Sequence, residues 1–307
     1  MKLSIVTTLF NSEKHIVDFH KRASNSARSL VGNDYEIIFV NDGSPDSSLE
    51  KAILLTHKSS KVTVISLSRN FGHHKAMMTG LEYASGDLVF LVDSDLEEEP
   101  EWLSNFFAQK QQHNCDVVYG VQEFRKGNLF ERLSGKVFYR SLKYLAGFEL
   151  TENLVTARLM TSKYVKALIL HKEREVFMAG LWHITGFAQI PQKVNKCNTS
   201  QTTYTLRHKL SLLINSVTSF SNTPLVSIFY IGFFIFLMAS IYTLFLITSW
   251  FILAEPLSGW TSLMASIWLL GGLIISFIGV IGIYLAKVYS ETKKRPYTII
   301  SEIYGQR

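Results

Sequence analysis

The sequence predicts an α/β domain with a mostly parallel sheet, followed by two transmembrane helices. In residues 1–121, short apolar runs alternate with helical patterns at the spacing typical of parallel sheets covered by helices. Farther along, residues 210–254 and 261–286 contain no Asp, Glu, Lys or Arg. A helix of about 20 apolar residues crosses a hydrocarbon core of about 30 Å, so each uncharged segment is long enough to span a membrane.

The elements of the α/β domain follow one another in a regular order. Its predicted strands are short runs rich in Val, Ile, Leu and Phe, and Asn, Asp, Gly or Ser at their ends indicate turns. The strands are expected at 3–8, 36–40, 62–67, 88–92 and 115–121. The helices between them are expected at 13–30, 44–57, 72–84 and 100–113, with Ser44-Pro45 opening the second helix.

Two further segments are predicted to be amphipathic helices. About residues 128–146, apolar residues repeat at helical intervals with basic residues between them. Such a helix can lie on an anionic bilayer, or it can pack on the sheet with its basic face in solvent, and both alternatives stay open. Residues 206–224 are apolar along one side and are predicted to form an interfacial helix that leads into the first span.

The basic residues predict the membrane topology. Spans are expected near Val226–Leu253 and Leu263–Ala286, and the connection 255–260 carries no Lys or Arg. Basic residues precede the first span and follow the second: Arg207 and Lys209 before it, and Lys287, Lys293, Lys294 and Arg295 after it. The positive-inside rule therefore places both termini in the cytoplasm. The predicted organisation is a cytoplasmic domain at 1–205, an interfacial helix at 206–224, a two-helix membrane region at 225–288 and a cytoplasmic tail at 289–307.

Charge and motifs exclude several classes of function. A formal charge of +6 on a membrane-attached domain favours anionic lipid or phosphate over nucleic acid, and no nucleic-acid-binding motif occurs in the sequence. Neither GxGxxG nor GxxxxGK is present, so phosphates must be held in another way. Cys115 and Cys197 lack metal-ligand spacing. Small residues in the second span, such as Gly272 and Gly279, are compatible with homo-oligomers or with packing between the two spans.

Carboxylates at strand ends indicate a site. Asp93 and Asp95 follow the apolar run 88–92 directly, and Asp42 ends the second strand. Buried carboxylates are costly unless they meet a cation or a ligand, and Mg²⁺ or Mn²⁺ bound to nucleotide phosphates uses one or two of them. Arg69, beside a helix start, suits an anionic ligand. We therefore predict a nucleotide-phosphate site here, although an acidic solvated loop would leave the same pattern.

The motifs also carry a family resemblance. Val40–Ser44, Arg69–His73 and Asp93–Leu96 resemble the motifs of family 2 glycosyltransferases with the GT-A fold. In the C-terminal half, Asn153…Arg158-Leu159-Met160 and Arg295-Pro296-Tyr297 resemble the polyprenyl-phosphate glycosyltransferases, the group of bactoprenol glucosyltransferase and dolichol-phosphate mannose synthase. The resemblance implies a sugar transferase of a bacterial inner membrane that uses Mg²⁺ or Mn²⁺, a nucleotide-sugar donor, commonly UDP-linked, and a polyprenyl phosphate acceptor.

The resemblance also implies roles for individual residues. The residues expected to bind the nucleotide sugar are Thr8, Phe10, Asp42, Arg69, Asp93, Ser94 and Asp95. Asp95 is the expected metal ligand, with Glu97 at the position of a residue that assists the metal. The expected catalytic residues are Asp95, Arg158 and Arg174. The acceptor phosphate is expected to contact Arg158, and on charge alone Arg125 and Lys196.

The sequence departs from the family pattern at an important position. The usual Gly-Asp-Phe-Arg-Leu reads Val155-Thr156-Ala157-Arg158-Leu159, so its acidic residue is absent, unless Glu98, Glu99 or Glu152 takes its place. A phosphate monoester is already an anionic nucleophile at neutral pH and gains little from a general base. A sugar hydroxyl would need one. Thr156 therefore favours inverting transfer to polyprenyl phosphate over transfer to a hydroxyl of a lipid-linked saccharide, and a non-catalytic membrane subunit is the third alternative.

Overall fold

The chain forms two compact units. The computed structural model describes residues 1–122, 153–174, 176–196, 218, 221, 223–253 and 259–305. Of these, the residues up to 196 and those from 295 onwards belong to the first unit, an α/β domain. Residues 223–253 and 259–294 belong to the second unit. The predicted amphipathic helix at 128–146 and nearly all of the predicted interfacial helix at 206–224 lie outside the described residues.

The first unit is built on one sheet with eight strands among the described residues. In chain order, β1 to β8 are Leu3–Leu9, Tyr35–Asn41, Val62–Leu67, Leu88–Leu91, Val117–Gln122, Leu154–Thr161, Gln189–Val194 and Ile300–Tyr304. Their order across the sheet is β7-β5-β6-β4-β1-β2-β3-β8. The central β4, β1, β2 and β3 are parallel, whereas β6 and β8 run antiparallel to their neighbours. The α/β prediction is confirmed for this unit, but its sheet is mixed: four of the strand pairs among the described residues are parallel and three are antiparallel.

Six helices of the first unit lie within the described residues. They are α1 Ile16–Val31, α2 Ser48–Lys58, α3 His73–Tyr83, α4 Trp102–His113, α5 Ser162–Leu168 and α6 Met178–Ile184. The helices α1 to α4 bury one face each, and fully buried side chains such as Phe19, Phe39, Phe90 and Phe106 form the core between helices and sheet. Phe19 meets Phe39 and Phe90 meets Phe106 edge to face, with ring centroids 6.0 Å apart in both pairs.

The second helix starts later than the sequence predicts. Ser44-Pro45 was expected to open it, but α2 begins at Ser48. The reason is Asp46, whose carboxylate accepts hydrogen bonds from the Ser44 hydroxyl at 2.6 Å and from the Ser48 amide at 3.1 Å. Local side-chain bonds of this kind compete with helix formation and cap the turn that follows. The other strand and helix predictions up to residue 122 agree with the structure to within about three residues at their ends.

The C-terminal residues return to the α/β unit, which the sequence did not predict. Residues 289–307 were expected to be a tail, but β8 pairs antiparallel with β3 at the edge of the sheet. The Thr298 hydroxyl lies 2.8 Å from the Thr79 hydroxyl, and Tyr297 donates to Glu82 at 3.1 Å. The described chain therefore begins and ends in the same folded unit.

The second unit contains two long helices, α7 Thr223–Leu253 and α8 Trp260–Thr292. Both predicted spans fall within them. Among the described residues, Leu270–Thr292 is the segment that is long and apolar enough to cross a membrane, whereas Thr223–Ala239 is a shorter apolar stretch. Large apolar side chains of α8 such as Ile274, Ile275 and Ile278 are exposed. Two spans were predicted, and one segment of the described residues has the length and composition of a span.

Candidate active site

The predicted site residues gather at one edge of the sheet. Thr8 is the last residue but one of β1, Asp42 follows β2, Arg69 follows β3, and Asp93 and Asp95 follow β4. Strands β1 and β4 are neighbours, and the connection after β1 leads to β2 on one side whereas the connection after β4 leads to β5 on the other side. In open α/β sheets the crevice at such a switch point is where ligands bind. The sheet therefore places these side chains where a ligand is expected.

Asp42 holds the loop after β3. Its side chain is buried, and its two carboxylate oxygens accept hydrogen bonds from the amides of Phe71 at 2.7 Å and Gly72 at 2.9 Å. Burial raises the pKa of Asp42, and these two amides partly offset that effect. In this structure the carboxylate thus organises the loop between β3 and α3, and the expected contact with a nucleotide base stays a prediction.

Gly43 allows the loops after β2 and β3 to approach each other. Its φ is +61°, and a Cβ at this position would lie 2.5 Å from the Asn70 nitrogen and 2.6 Å from the Arg69 carbonyl carbon. The left-handed backbone and the close contact both require glycine. The Arg69 guanidinium lies 4.2 Å from the centre of the Phe71 ring, an intraloop cation–π contact.

His73 connects two of the predicted site residues. Its Nδ1 lies 2.9 Å from the Thr8 hydroxyl and its Nε2 lies 3.3 Å from an oxygen of Asp93. Burial alone would lower the pKa of His73, but the Asp93 carboxylate outweighs it and the pKa is raised. Burial would conversely raise the pKa of Asp93, but His73 holds it below its usual value. The ion pair fixes Asp93 at the edge of the crevice.

Ser94 has a structural position between the two aspartates. It is buried, and its hydroxyl donates to the Thr8 carbonyl oxygen at 2.8 Å and lies 3.1 Å from the Ser12 hydroxyl. These bonds hold the loop after β4 against the end of β1. The side chains of Asp93 and Asp95, on either side, are only partly buried. A direct contact of Ser94 with the nucleotide sugar stays a prediction.

Asp95 and the residues after it form an acidic cluster around Lys196. The Asp95 carboxylate accepts a hydrogen bond from the Glu97 amide at 3.0 Å. The Lys196 ammonium lies 3.3 Å from a carboxylate oxygen of Glu97 and 3.7 Å from one of Glu98. Burial raises the pKa of Asp95, and the neighbouring carboxylates Asp93 and Glu97 raise it further. Lys196, predicted from charge to bind the acceptor, instead neutralises part of this cluster.

Glu98 lies next to Thr156, the position at which the family pattern has an acidic residue and this chain does not. It is fully buried, and one of its oxygens accepts the Thr156 amide at 2.9 Å while the other has no hydrogen-bond partner. Burial, with the Asp93 carboxylate adding to it, raises the pKa of Glu98 to about 8. Of the three glutamates that could take the place of the missing acid, Glu98 is thus in contact with Thr156, and Glu152 lies outside the described residues.

The acidic cluster fits a divalent cation. Four carboxylates, Asp93, Asp95, Glu97 and Glu98, lie at one edge, and the pKa values of Asp95 and Glu98 are raised by burial first and by neighbouring carboxylates in addition. Within the part of the chain that the structure describes, three or more His, Cys, Asp or Glu side chains do not converge as a preformed metal cage. Mg²⁺ commonly binds through one or two carboxylates plus substrate phosphates and water. The donor set matches that mode better than a metal cage.

Arg158, Arg174 and Arg125 were also predicted to belong to the site. Arg158 lies within β6, is 1% exposed, and stacks under Trp182 with its Cζ 2.9 Å from the ring centre. It was expected to contact substrate, and its burial is the main difference from that expectation. Arg174 is half-buried in the segment between α5 and α6, and Arg125 lies outside the described residues. Phe10, expected in the nucleotide pocket, is 48% exposed at the end of β1.

Sequence reasoning missed the roles of His73 and Trp182. A histidine at a helix start gave no sign that it would pair with Asp93, because the pairing depends on the order of strands across the sheet. Trp182 carried no motif at all. Glu98 was named as one of three candidates, since it follows the Asp93–Asp95 pair closely in the chain.

Comparisons with known proteins identify the family. Residues 4–168 match the model of glycosyl transferase family 2. A protein of Mycobacterium tuberculosis named as a putative glycosyltransferase is 50% identical over 99% of this chain and 89% of its own length. A prophage bactoprenol glucosyl transferase homolog of Escherichia coli is 33% identical over 99% of both chains. The bactoprenol glucosyl transferase of Shigella phage SfII is 32% identical over 98% of both.

The sheet order, the carboxylates at its edge and these similarities agree with one another. The resemblance predicted from the sequence motifs is confirmed, and the mixed sheet is that of the GT-A fold. The chain belongs to glycosyl transferase family 2, and within that family it is a glycosyltransferase similar to the enzymes that use polyprenyl phosphate.

Proposed function

We propose that this chain transfers a sugar from a nucleotide sugar, UDP-linked, to polyprenyl phosphate at the cytoplasmic face of a membrane. The observation that carries the proposal is the edge of the sheet where Asp93, Asp95, Glu97 and Glu98 lie beside Thr156. This edge offers oxygen ligands for a cation with a diphosphate, and the carboxylate in contact with Thr156, that of Glu98, is fully buried. The similarity to bactoprenol glucosyl transferases supports the same acceptor.

The donor would lie along the carboxyl ends of β1, β2 and β4. Asp95 would hold Mg²⁺ or Mn²⁺, with Glu97 as a second ligand once it separates from Lys196. When bound, the cation supplies Lewis-acid stabilisation of the departing nucleotide diphosphate. Asp93, fixed by His73, would face the ribose, and Asp42 would keep the loop of Arg69 in place beside the nucleotide.

The transfer would proceed in one step with inversion. An oxygen of the acceptor phosphate attacks the anomeric carbon and forms the new carbon–oxygen bond. The bond from that carbon to the diphosphate breaks, and the electron pair leaves with the nucleoside diphosphate. A phosphate monoester with its second pKa near 6 carries the required negative charge at neutral pH, so no residue has to remove a proton.

The environment of Thr156 supports a phosphate acceptor over a hydroxyl acceptor. Thr156 cannot act as a carboxylate base, and the carboxylate in contact with it, Glu98, is fully buried and bonded to the Thr156 amide. A hydroxyl acceptor would need a base that it can reach. The alternative function, transfer to a hydroxyl of a lipid-linked saccharide, would require Glu98 to become exposed, or Glu99 or Glu152 to act as the base.

The path of the chain supports a membrane hairpin. Strand β8 pairs with β3 in the first unit, while α7 and α8 belong to the second unit. A chain that leaves the first unit and returns to it crosses a membrane an even number of times, if it crosses at all. Since α8 contains a segment able to span, α7 supplies the second crossing under this proposal. An acceptor with a polyprenyl tail explains why the transferase is attached to lipid.

The test is to identify the acceptor directly. Membranes containing the chain are incubated with labelled nucleotide sugar and either pure polyprenyl phosphate or a polyprenyl-linked saccharide. The expected product is a labelled lipid phosphodiester that forms from polyprenyl phosphate and releases its sugar in mild acid. Asp95→Asn is the inactive control. Labelling of the saccharide alone, in a product from which mild acid releases a labelled oligosaccharide instead of the single labelled sugar, would support the alternative acceptor. No transfer to either, and no change in cellular glycosylation with Asp95→Asn, would indicate a non-catalytic subunit.

A further inference from the structure

The order of strands across the sheet brings Lys196 to the acidic cluster. Lys196 comes two residues after β7 ends at Val194, and β7 is parallel to β5. Since β5 and β4 both run antiparallel to β6, β7 ends at the same edge of the sheet as β4. Two strands separate β7 from β4, and the ammonium still reaches Glu97 and Glu98, which follow β4. A cation from a distant part of the chain thus joins the cluster.

The Lys196 ammonium interacts with all four carboxylates of the cluster. It lies 3.3 Å from an oxygen of Glu97 and 3.7 Å from one of Glu98. Burial alone would lower the pKa of Lys196, but the four carboxylates, Glu98 first among them, outweigh burial and raise it. The side chain is only partly exposed, so solvent and salt screen these interactions less than they would at the surface. The ammonium is therefore a strong countercation for the cluster.

The proposed function places a divalent cation on the same carboxylates. Asp95 and Glu97 are its expected ligands, and Lys196 already contacts Glu97. Two positive charges on one carboxylate lie well within the screening length of about 8 Å at physiological ionic strength, so they repel each other. Binding of the divalent cation through Glu97 therefore requires Lys196 to withdraw, or additional negative charge to enter the site.

We propose that Lys196 is the resident countercation of this cluster and competes with the divalent cation, so that the cation binds well only together with the diphosphate of the donor. The proposal rests on the function proposed above and adds that cation and donor bind as one unit. The diphosphate brings negative charges that offset the added positive charge, and its oxygens supply further ligands. A lysine suits this role, because its ammonium is a point charge on a flexible stem and can leave Glu97 without a backbone movement.

The experiment measures Mn²⁺ binding to the full chain in detergent by electron paramagnetic resonance of the free ion, with and without UDP. Lys196→Gln removes the ammonium, whereas Lys196→Arg keeps a positive charge. Lys193→Gln is the matched control, since Lys193 is an exposed lysine three residues earlier in β7. Without UDP, we expect Lys196→Gln to bind Mn²⁺ about ten-fold or more tightly than the unaltered chain. Lys196→Arg and Lys193→Gln should stay within about two-fold of the unaltered chain.

The titrations with UDP give a second readout. In the unaltered chain UDP should raise the affinity for Mn²⁺, and in Lys196→Gln this gain should be smaller by about three-fold or more, because no ammonium is left to offset. If Lys196→Gln does not fold, the double variant Lys196→Gln, Glu98→Gln takes its place and is compared with Glu98→Gln alone. The double variant removes one carboxylate together with the ammonium and so preserves the charge of the cluster.

The outcomes separate this proposal from the proposed function. An unchanged affinity for Mn²⁺ in Lys196→Gln would overturn the competition. An equal gain in Lys193→Gln would also overturn it, because the effect would then come from net charge. If the unaltered chain transfers sugar to polyprenyl phosphate in either case, the proposed function stands. A gain in Mn²⁺ affinity that is specific to Lys196→Gln, in a chain that transfers no sugar, would support the competition and refute the function.

Discussion

Replacing Glu98 with glutamine should stabilise the α/β unit above neutral pH. Glu98 is fully buried beside Asp93 and Lys196, and its pKa is raised from 4.5 to about 8. A group whose pKa is higher in the folded state favours folding while it is protonated, and this contribution is lost as the pH rises from about 4.5 through about 8. Glutamine keeps an oxygen to accept the Thr156 amide but carries no charge, so it does not lose stability in this range.

The magnitude follows from the shift. At about 1.4 kcal/mol for each pKa unit, ionising Glu98 in the folded protein costs on the order of 5 kcal/mol. A unit of this size changes its melting temperature by about 2–4 °C for each kcal/mol, so the difference is on the order of 10 °C. In the variant Lys196 loses its ion pair with Glu98 but keeps its contact with Glu97, so the destabilisation from the lost pair is limited.

The assay is thermal unfolding of the full chain in detergent with EDTA, at pH 5 and at pH 8.5. We expect Glu98→Gln to melt on the order of 10 °C above the unaltered chain at pH 8.5 and close to it at pH 5. The control is Glu99→Gln, because Glu99 is the next residue in the chain and is half-buried, whereas Glu98 is fully buried. This control should show no pH-dependent rise in melting temperature. The reasoning would be refuted if the melting temperature of Glu98→Gln differed from that of the unaltered chain by the same amount at both pH values, or if the variant melted below the unaltered chain at pH 8.5.

Three further predictions concern the loops and the membrane hairpin. Asp46→Asn should cost about 1 kcal/mol of unfolding free energy at pH 7, measured by denaturant titration. Burial alone would raise the pKa of Asp46, but the hydrogen bonds that its carboxylate accepts outweigh burial and lower this pKa to about 2. The cost of Asp46→Asn should therefore shrink below pH 4. A cost that is the same at pH 7 and below pH 4 would count against the prediction. Gly43→Ala should weaken UDP binding about ten-fold or more, because the added Cβ displaces the loop of Arg69. Gly32→Ala is the control for backbone strain, since Gly32 also has a positive φ, +63°, but an added Cβ there would contact nothing. An equal loss of UDP affinity in both variants would disprove the steric argument. In intact cells, Ser258→Cys should react with an impermeant maleimide and Ser301→Cys should not, in a background without native cysteines; labelling of both would contradict the hairpin.

Local sequence signals predicted the first half of the fold well. The strands that end at Leu9, Asn41, Leu67 and Leu91 are apolar runs bounded by turn residues, and their period and length suffice to identify them. The strand β8 could not be predicted in this way, because its partner β3 lies more than 200 residues away and its own five residues show no strict alternation of apolar and polar side chains. Pairing across such a distance depends on the whole sheet.

The candidate site was predictable in place but only partly in detail. Asp93 and Asp95 had to lie at the carboxyl edge because they end a parallel strand, and the structure places them there. The surroundings of Arg158 were not predictable, since its burial depends on Trp182 of α6 folding over β6. Lys196 was chosen from charge alone, which indicates an anionic neighbour but does not distinguish a substrate phosphate from Glu97 and Glu98.

The central claim is that Asp95 holds a divalent cation on the diphosphate of the donor. The most direct measurement is calorimetric titration of UDP into the purified full chain, with Mn²⁺ or with EDTA, for the unaltered protein and Asp95→Asn. We expect Mn²⁺ to raise the affinity of the unaltered chain for UDP by about ten-fold or more and to leave that of Asp95→Asn nearly unchanged. Equal affinity of the unaltered chain in Mn²⁺ and EDTA, or an equal gain in Asp95→Asn, would contradict the claim.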